Sequence, residues 1–149
     1  MNIFILEDDP TRKETFINLF VNKADFTIVS NVKDAVDTLT NNKFDWIFFD
    51  YDLITFPEHL ETANILDDNT IIKPSDIKRE KAIDVAKIIK DTINKDAMII
   101  LHTWSSGGAE QMQSVLPDQS KVFIEPFGSS DFMERVKRDV LKETNERTI

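Results

Sequence analysis

The chain has 149 residues, 41% hydrophobic and 30% charged, which is typical of one globular domain that buries its own core. It lacks cysteine, which excludes disulfides and cysteine-ligated metals. Its apolar runs are too short to predict a membrane span, and its first residues do not predict a signal peptide, so we expect a cytoplasmic protein. A formal net charge of -9 makes nucleic acid an unexpected partner, although a divalent cation can still bridge acidic side chains to a small phosphorylated ligand.

Short apolar runs alternate along the chain with segments of helical periodicity. Most of the runs are continuously apolar, as in strands covered on both faces, and they predict strands at residues 2–6, 26–30, 44–49, 97–101 and 121–124. Amphipathic spacing predicts helices after Pro10, which Asp9 caps, and at residues 32–39, 82–93 and 132–140. This alternation predicts a three-layer α/β fold: a five-stranded parallel sheet in the flavodoxin-like order 2-1-3-4-5, with helices on both faces.

One stretch, at about residues 53–78, interrupts this alternation. It has no sustained hydrophobic period and contains Pro57 and Pro74. A connection of this length inside a compact domain is usually a lid, a binding loop or a disordered insertion. We therefore predict a single domain over residues 1–149 with an enlarged loop after the third strand.

Acidic residues stand directly after the first and third predicted strands. Because the carboxyl ends of parallel strands meet at one edge, Glu7, Asp8 and Asp50 should lie close together, where their charges are costly without a cation. Hard oxygen ligands suit Mg²⁺ or Mn²⁺, so the pattern predicts a metal site. Asp52 is either an extra ligand or a solvated loop residue. Acids after strands also cap helices, which is the role expected of Asp9.

The fourth predicted strand is followed by the sequence HTWSSGG, at residues 102–108. His102 can act as a general acid or base or as a nucleophile toward phosphorus; the alternative is a histidine that only bonds a backbone carbonyl. The free amides that open the next helix favour an anion such as phosphate. The phosphate-binding candidates are Thr103, Ser105, Ser106, Gly107 and Gly108.

The remaining features beside this edge are the glycines and one tryptophan. All three glycines of the chain, Gly107, Gly108 and Gly128, follow strands four and five, which predicts tight turns or close approach of the backbone to a ligand. Trp104 either packs against the protein, covers the site or stacks on a base or ring.

The chain resembles response-regulator receiver domains over nearly its whole length. The motifs that carry the resemblance are LEDD at residues 6–9 with Pro10 and Arg12 after it, an aspartate after the third strand, and Pro126-Phe127 after the fifth. The resemblance implies a metal pocket formed by Glu7 and Asp8, with Asp50 in the phospho-acceptor position. Two departures argue against ordinary aspartyl-phosphate signalling: Glu125 replaces the expected lysine, and His102 replaces the expected threonine or serine.

The chain resembles more closely the divergent receiver group called the cyclic-phosphate-processing receiver domain. The shared motifs are LEDD, D-x-D-L at residues 50–53, and a histidine-threonine turn that runs into a helix at residues 102–112. In this chain Tyr51 stands where a histidine is common, Ser105-Ser106 replaces Asn-Pro, and the loop after Leu53 is enlarged. The resemblance implies that the domain processes a cyclic phosphate.

Three hypotheses follow. In the first, the chain is a metal-dependent phosphoesterase for cyclic phosphates or nucleotide-like ligands, with His102, Asp50 and Thr103 as the catalytic set. In the second, it is a catalytically inactive pseudo-receiver whose helical face or 53–78 loop engages a protein partner, which Glu125 favours. In the third, it is a phospho-acceptor receiver modified on Asp50, which the missing lysine disfavours.

Overall fold

A parallel sheet of five strands forms the centre of the computed structural model, which describes residues 1–55 and 78–142. Its strands, in chain order, are β1 (Asn2–Leu6), β2 (Asp25–Val29), β3 (Trp46–Phe49), β6 (Met98–Leu101) and β7 (Val122–Ile124). Their spatial order is β2-β1-β3-β6-β7, and every neighbouring pair is parallel. Counted within this sheet alone, the order is 2-1-3-4-5, which confirms the predicted fold.

The helices follow the predicted alternation. They are α1 (Pro10–Phe20), α2 (Val32–Asn41), α3 (Ile83–Ala86), α4 (Ser106–Val115) and α5 (Ser130–Arg135), with α5 continuing as one π-helical turn, Val136–Val140. As predicted, Asp9 caps α1: its carboxylate accepts the amides of Thr11 and Arg12, and Pro10 occupies the first turn. None of the described helices is long and apolar enough to cross a bilayer.

The helix predicted at residues 82–93 is shorter than expected. It divides into α3 and a 3-10 turn, Ile89–Asp91, and Ile93 is exposed rather than buried. The buried side chain of Asn94 explains the early end. It accepts the amide of Phe44 at 2.7 Å and donates to the carbonyls of Leu39 and Asn42, which ties the chain to the end of α2 instead of extending the helix.

The ends of the predicted 53–78 loop also differ from expectation. Residues on both sides of it form strands β4 (Asp52–Thr55) and β5 (Lys78–Lys81), which pair antiparallel in a separate two-stranded sheet. Residues 56–77 lie outside the described part of the chain. The pairing between β4 and β5 offsets part of the entropy cost of bringing the ends of a long connection together.

The core consists of two layers, one on each face of the sheet, because neighbouring residues of a strand point to opposite faces. One layer includes Phe4, Leu6, Ile47, Phe49, Ile99 and Leu101, covered by α2, α3 and α4. The other includes Ile3, Ile5, Phe48 and Ile100, covered by α1 and α5. Both faces are therefore buried, which explains why the strand sequences are continuously apolar.

Candidate functional site

Three polar side chains meet at the carboxyl edge of the sheet because the strands hold them in one register row. Leu6 pairs with Phe49, and Phe49 pairs with Leu101. The next residues along these strands are Glu7, Asp50 and His102. Since the aligned Leu6, Phe49 and Leu101 point towards α2, α3 and α4, the following residues point towards α1 and α5. One ligand atom from each of Glu7, Asp50 and His102 lies within 4.8 Å of the others.

Glu7 and His102 form a fully buried pair. The distance from His102 Nε2 to Glu7 Oε1 is 2.9 Å, and both side chains are 0% exposed. Glu7 Oε2 accepts the amides of Asp8 and Asp9, each at 3.1 Å. Burial by itself raises the pKa of Glu7, but the hydrogen bond and charge of His102, the Asp9 amide and the nearby Arg12 outweigh it, so the pKa lies below its ordinary value.

Four phenylalanine rings surround the imidazole of His102. Those of Phe16 and Phe127 lie 5.3 and 6.1 Å from it, centroid to centroid, and those of Phe48 and Phe132 lie slightly farther away. Among the described residues, no group forms a hydrogen bond with the buried His102 Nδ1. The hydrogen-bonding nitrogen of the ring is therefore Nε2, whose partner is Glu7. In this geometry the imidazole bonds Glu7, and its ring is enclosed.

Asp50 is the more accessible of the two carboxylates, with 14% of its side chain exposed. Its Oδ1 accepts the amide of Tyr51 at 2.8 Å. Burial raises the pKa of Asp50, and the negative charge of Glu7 raises it further, so the pKa lies above its ordinary value despite the opposing charges of His102 and Arg12. The nearby positive charges therefore do not fully compensate ionised Asp50 for its burial.

Arg12 supplies a cation to this pocket, a role that the sequence reasoning did not assign to it. Its Nη1 lies 3.5 Å from Asp50 Oδ2 and 3.8 Å from Glu7 Oε1, and its guanidinium lies 5.3 Å above the Phe127 ring. The side chain is 29% exposed, so part of it reaches the solvent. Its place in the first turn of α1, directly after the acidic end of β1, is the sequence signal that could have identified it.

Side-chain hydrogen bonds order the loop from β6 to α4. Thr103 is buried, and its Oγ1 accepts the amide of Ser105 at 3.1 Å; Ser105 caps α4 by accepting the amide of Gly108 at 3.1 Å. Ser106 and Gly107 are exposed in the first turn. Helix geometry gives their amides no intrahelical carbonyl to bond, so these amides are suited to an anion.

The three glycines have three different surroundings. Gly128 has a φ of +78°, which a turn requires, whereas a Cβ on Gly107 would meet no atom within 4 Å. A Cβ on Gly108 would overlap the ring of Tyr51, whose hydroxyl donates to Gln111 at 2.8 Å. Close approach at Gly108 therefore serves an internal contact. Tyr51, which sequence reasoning did not place in the site, links the end of β3 to α4.

The remaining predicted metal ligands are Asp8 and Asp52. Asp8 is half-buried beside Glu7 but does not belong to the three-residue group whose atoms lie within 4.8 Å of one another. Asp52 begins β4, and its side chain is outside the described part of the structure. Glu125, in the position where receivers carry lysine, accepts a hydrogen bond from Arg135 Nε at 3.0 Å.

Several solved structures similar to this chain are receiver domains or response regulators. The receiver domain of a sensor histidine kinase from Pseudomonas aeruginosa PAO1, with magnesium coordinated in its active site cleft, is 16% identical, with a TM-score of 0.59 over 92% of this chain and 94% of that one. The response regulator TrrA from Thermotoga maritima, in complex with Mg²⁺-BeF, is 20% identical, with a TM-score of 0.58 over 92% of this chain and 96% of that one. A two-component response regulator from Clostridium difficile is 13% identical, with a TM-score of 0.60 over 98% and 99% of the two chains. At these identities the likeness defines the class of protein, a domain with the receiver fold.

The particular family follows from the sequence. A family profile described as the cyclic-phosphate processing receiver domain matches residues 1–118. The chain therefore belongs to this family, as its motifs predict. A search of curated protein sequences found no significant match to the chain.

Proposed function

We propose that this chain binds Mg²⁺ or Mn²⁺ with a small phosphorylated ligand at the carboxyl edge of its sheet, and hydrolyses a cyclic phosphate or nucleotide-like ester there. The observation that carries the proposal is the grouping of Glu7, Asp50 and His102 within 4.8 Å. Two carboxylates this close, with the pKa of Asp50 raised, favour an added cation.

The donor atoms fit a hard divalent cation. Because His102 Nε2 already bonds Glu7 at 2.9 Å, the atoms left for a cation are carboxylate oxygens, which Mg²⁺ and Mn²⁺ prefer. Asp50 would hold the cation together with Glu7, and Asp8 and Asp52 would add ligands directly or through water. Two receiver domains of similar fold contain magnesium in their crystal structures, which supports the same assignment here.

Arg12 has two roles in this proposal. Without a cation, its guanidinium neutralises Glu7 and Asp50 across gaps of 3.8 and 3.5 Å. Once a cation balances these carboxylates, the guanidinium is available to hold phosphate oxygens, for which its forked donors are well suited. Arg12 thus takes the charge-neutralising place that the lysine occupies in ordinary receivers.

The remaining residues hold the ester and move a proton. The helix-opening amides, with Thr103, would bind phosphate oxygens; this set is Thr103, Ser105, Ser106, Gly107 and Gly108. Hydrolysis joins a water oxygen to phosphorus and breaks one P–O bond, so one proton must pass from the water to the departing ribose oxygen. We assign that transfer to His102, acting through Glu7 because its ring is enclosed. A bound divalent cation polarises phosphoryl oxygens and activates water.

The burial of His102 also favours a second candidate function. A ring that is 0% exposed does not contact a ligand directly, so the same pocket can bind a cation and a phosphate without hydrolysing the ester. In that case the domain is a regulatory pseudo-receiver that changes its affinity for a protein partner when the pocket is filled. Phosphorylation of Asp50 is a further outcome to assay.

Binding of Mn²⁺, measured by electron paramagnetic resonance, tests the site. We expect Asp50→Asn to weaken binding at least tenfold, because it removes a charged ligand. The matched control Asp96→Asn removes the same charge from a well-exposed surface position and should leave binding unchanged. Wild-type protein that binds no Mn²⁺ at millimolar concentration would overturn the proposal.

Hydrolysis is tested separately with 2′,3′- and 3′,5′-cyclic nucleotides and Mg²⁺ or Mn²⁺. The first candidate function predicts turnover that His102→Ala abolishes. Mn²⁺ binding without turnover would instead support the pseudo-receiver. Mass measurement after exposure to a small phosphodonor decides whether Asp50 accepts a phosphoryl group.

A further inference from the structure

Trp104 is a large aromatic side chain held in solvent beside the candidate site. It lies in the loop between β6 and α4 and is 65% exposed, more than any other large hydrophobic side chain in the described residues. Its indole N–H donates to the carbonyl of Phe127 at 3.1 Å. This bond fixes one edge of the ring and leaves much of its surface open, although leaving an indole in water forgoes hydrophobic stabilisation.

A short chain of contacts connects Trp104 to the acidic pocket. Phe127, whose carbonyl accepts the indole N–H, lies with its ring 5.3 Å from the Arg12 guanidinium. Arg12 in turn lies 3.5 Å from Asp50. Trp104 also stands between Thr103 and Ser105, two of the candidate phosphate ligands. A phosphate bound by these neighbours would therefore leave its sugar and base on the side of the chain that carries Trp104.

We propose that Trp104 is a stacking platform for a nucleobase, so that the phosphorylated ligand of this domain is a nucleotide rather than a base-free phosphate ester. The inference rests on the proposed function, because it uses the same pocket for the phosphate. Every base presents a flat π-surface, and a fixed, exposed indole binds such a surface without reading base identity. The platform contributes affinity for any nucleobase and little discrimination among them.

The charge of the chain limits the size of this ligand. A net charge of -9 repels a long polynucleotide, whose many phosphates would approach an acidic surface. A single nucleotide brings only one phosphate, which the cation and Arg12 neutralise. The platform is therefore assigned to a mononucleotide.

The two tryptophans of the chain make a direct optical test available. The other tryptophan, Trp46, is 7% exposed. Because the chain has two tryptophans, Trp46→Phe leaves Trp104 as the only tryptophan fluorophore. In this variant, with Mg²⁺ present, 2′,3′-cyclic AMP should quench the fluorescence. Methyl riboside 2,3-cyclic phosphate, which lacks the base, should bind with little quenching.

Affinities measured by calorimetry provide the decisive comparison. In protein with Trp104 intact, we expect the base-bearing ligand to bind roughly 5- to 150-fold more tightly than the base-free ligand, the range for stacking of one base. Trp104→Ala should reduce this ratio to about one and leave affinity for the base-free ligand unchanged. Trp104→Phe should retain part of the ratio, because a smaller ring still stacks.

The outcomes separate this inference from the proposed function. Equal affinity for the two ligands in protein with Trp104 intact, or a ratio that survives Trp104→Ala, overturns the platform. Binding of Mn²⁺ with no binding of either ligand also overturns it and leaves the metal site standing. If Trp104→Ala changes only self-association in sedimentation experiments, Trp104 is a protein contact and the assignment to a nucleobase is wrong.

Discussion

Two clusters of charged residues lie near the carboxyl edge of the sheet, and they differ in how their charges are balanced. On the β7 side, Arg135 donates to Glu125 at 3.0 Å and to Asp139 at 2.9 Å, and its guanidinium lies 4.0 Å above the Phe123 ring. Hydrogen bonds with Arg138 lower the pKa of Asp139 below its ordinary value, and Arg135 adds to the effect. The carboxylates of this cluster are therefore paired with the arginines of the same cluster.

The cluster at the ends of β1, β3 and β6 is not balanced in the same way. Glu7 is well held by His102, but Glu7 and Asp50 share one guanidinium at the longer distances of 3.8 and 3.5 Å. Burial raises the pKa of Asp50, whereas the pKa of Asp139 is lowered. The opposite directions distinguish a surface ion pair that stabilises the fold from a carboxylate whose charge is incompletely balanced, as the proposed cation site requires.

Removal of one glutamate from each cluster should give the largest contrast. We expect Glu7→Ala to lower the free energy of unfolding by about 3–5 kcal/mol, because it leaves His102 buried without a partner for Nε2. Glu125→Ala should cost about 1 kcal/mol or less, because Arg135 keeps Asp139 and some contact with water. Urea denaturation of both variants measures the difference. Similar losses would show that the Glu7–His102 pair has no special importance for stability.

Removal of one arginine from each cluster tests the competition between Arg12 and a cation. Arg12→Gln removes the positive charge nearest to Asp50, so Mn²⁺ should bind on the order of tenfold more tightly. The same variant should bind phosphate ligands more weakly, because the guanidinium is lost. Arg135→Gln is the control and should change neither affinity. Weaker Mn²⁺ binding by Arg12→Gln would mean that Arg12 orders the carboxylates for the cation.

Removal of one aspartate from each cluster should change stability in opposite directions. Asp50→Asn should stabilise the cation-free protein on the order of 1 kcal/mol at pH 7, as often occurs when a destabilising functional charge is removed. Asp139→Asn should destabilise it by a few tenths of a kcal/mol. Thermal unfolding without metal measures both changes, and added Mn²⁺ should cancel the advantage of Asp50→Asn. A loss of stability in Asp50→Asn would contradict the interpretation of the pocket.

The smallest effect is the pH dependence of these differences. Because the folded-state pKa of Asp50 is raised above 3.8, folded protein binds its proton more readily, so the cost of Asp50 grows as pH rises through that pKa. The folded-state pKa of Asp139 is lowered, so its stabilisation is present above 3.8 and is lost as pH falls through the lower value. As pH falls from 7, the free energy of unfolding of Asp50→Asn should approach that of the wild type above pH 3.8, around the raised pKa of Asp50. That of Asp139→Asn should approach the wild-type value only below pH 3.8, so the measurement extends into that range. Parallel curves for wild type and variants would contradict these directions.

The sequence alone determined the scaffold and the chain positions that meet at its edge. Continuous apolar runs that alternate with helical periodicity leave few topologies, and parallel strands must bring their carboxyl ends together. That rule places Glu7, Asp50 and His102 side by side. It depends on strand order and on where each apolar run ends in the sequence.

The tertiary structure decided what these side chains contact. Phenylalanines from α1, β3, α5 and the loop after β7 enclose His102. Arg12 turns towards Asp50, and the ring of Tyr51 lies over Gly108. All three contacts depend on packing between elements that are far apart in sequence. The same holds for Asn94, whose hydrogen bonds to the end of α2 shorten a helix that its own periodicity predicts to be longer. The local hydrophobic pattern indicates which face of an element is buried. The hydrogen-bond partner of each polar group depends on how the layers pack together.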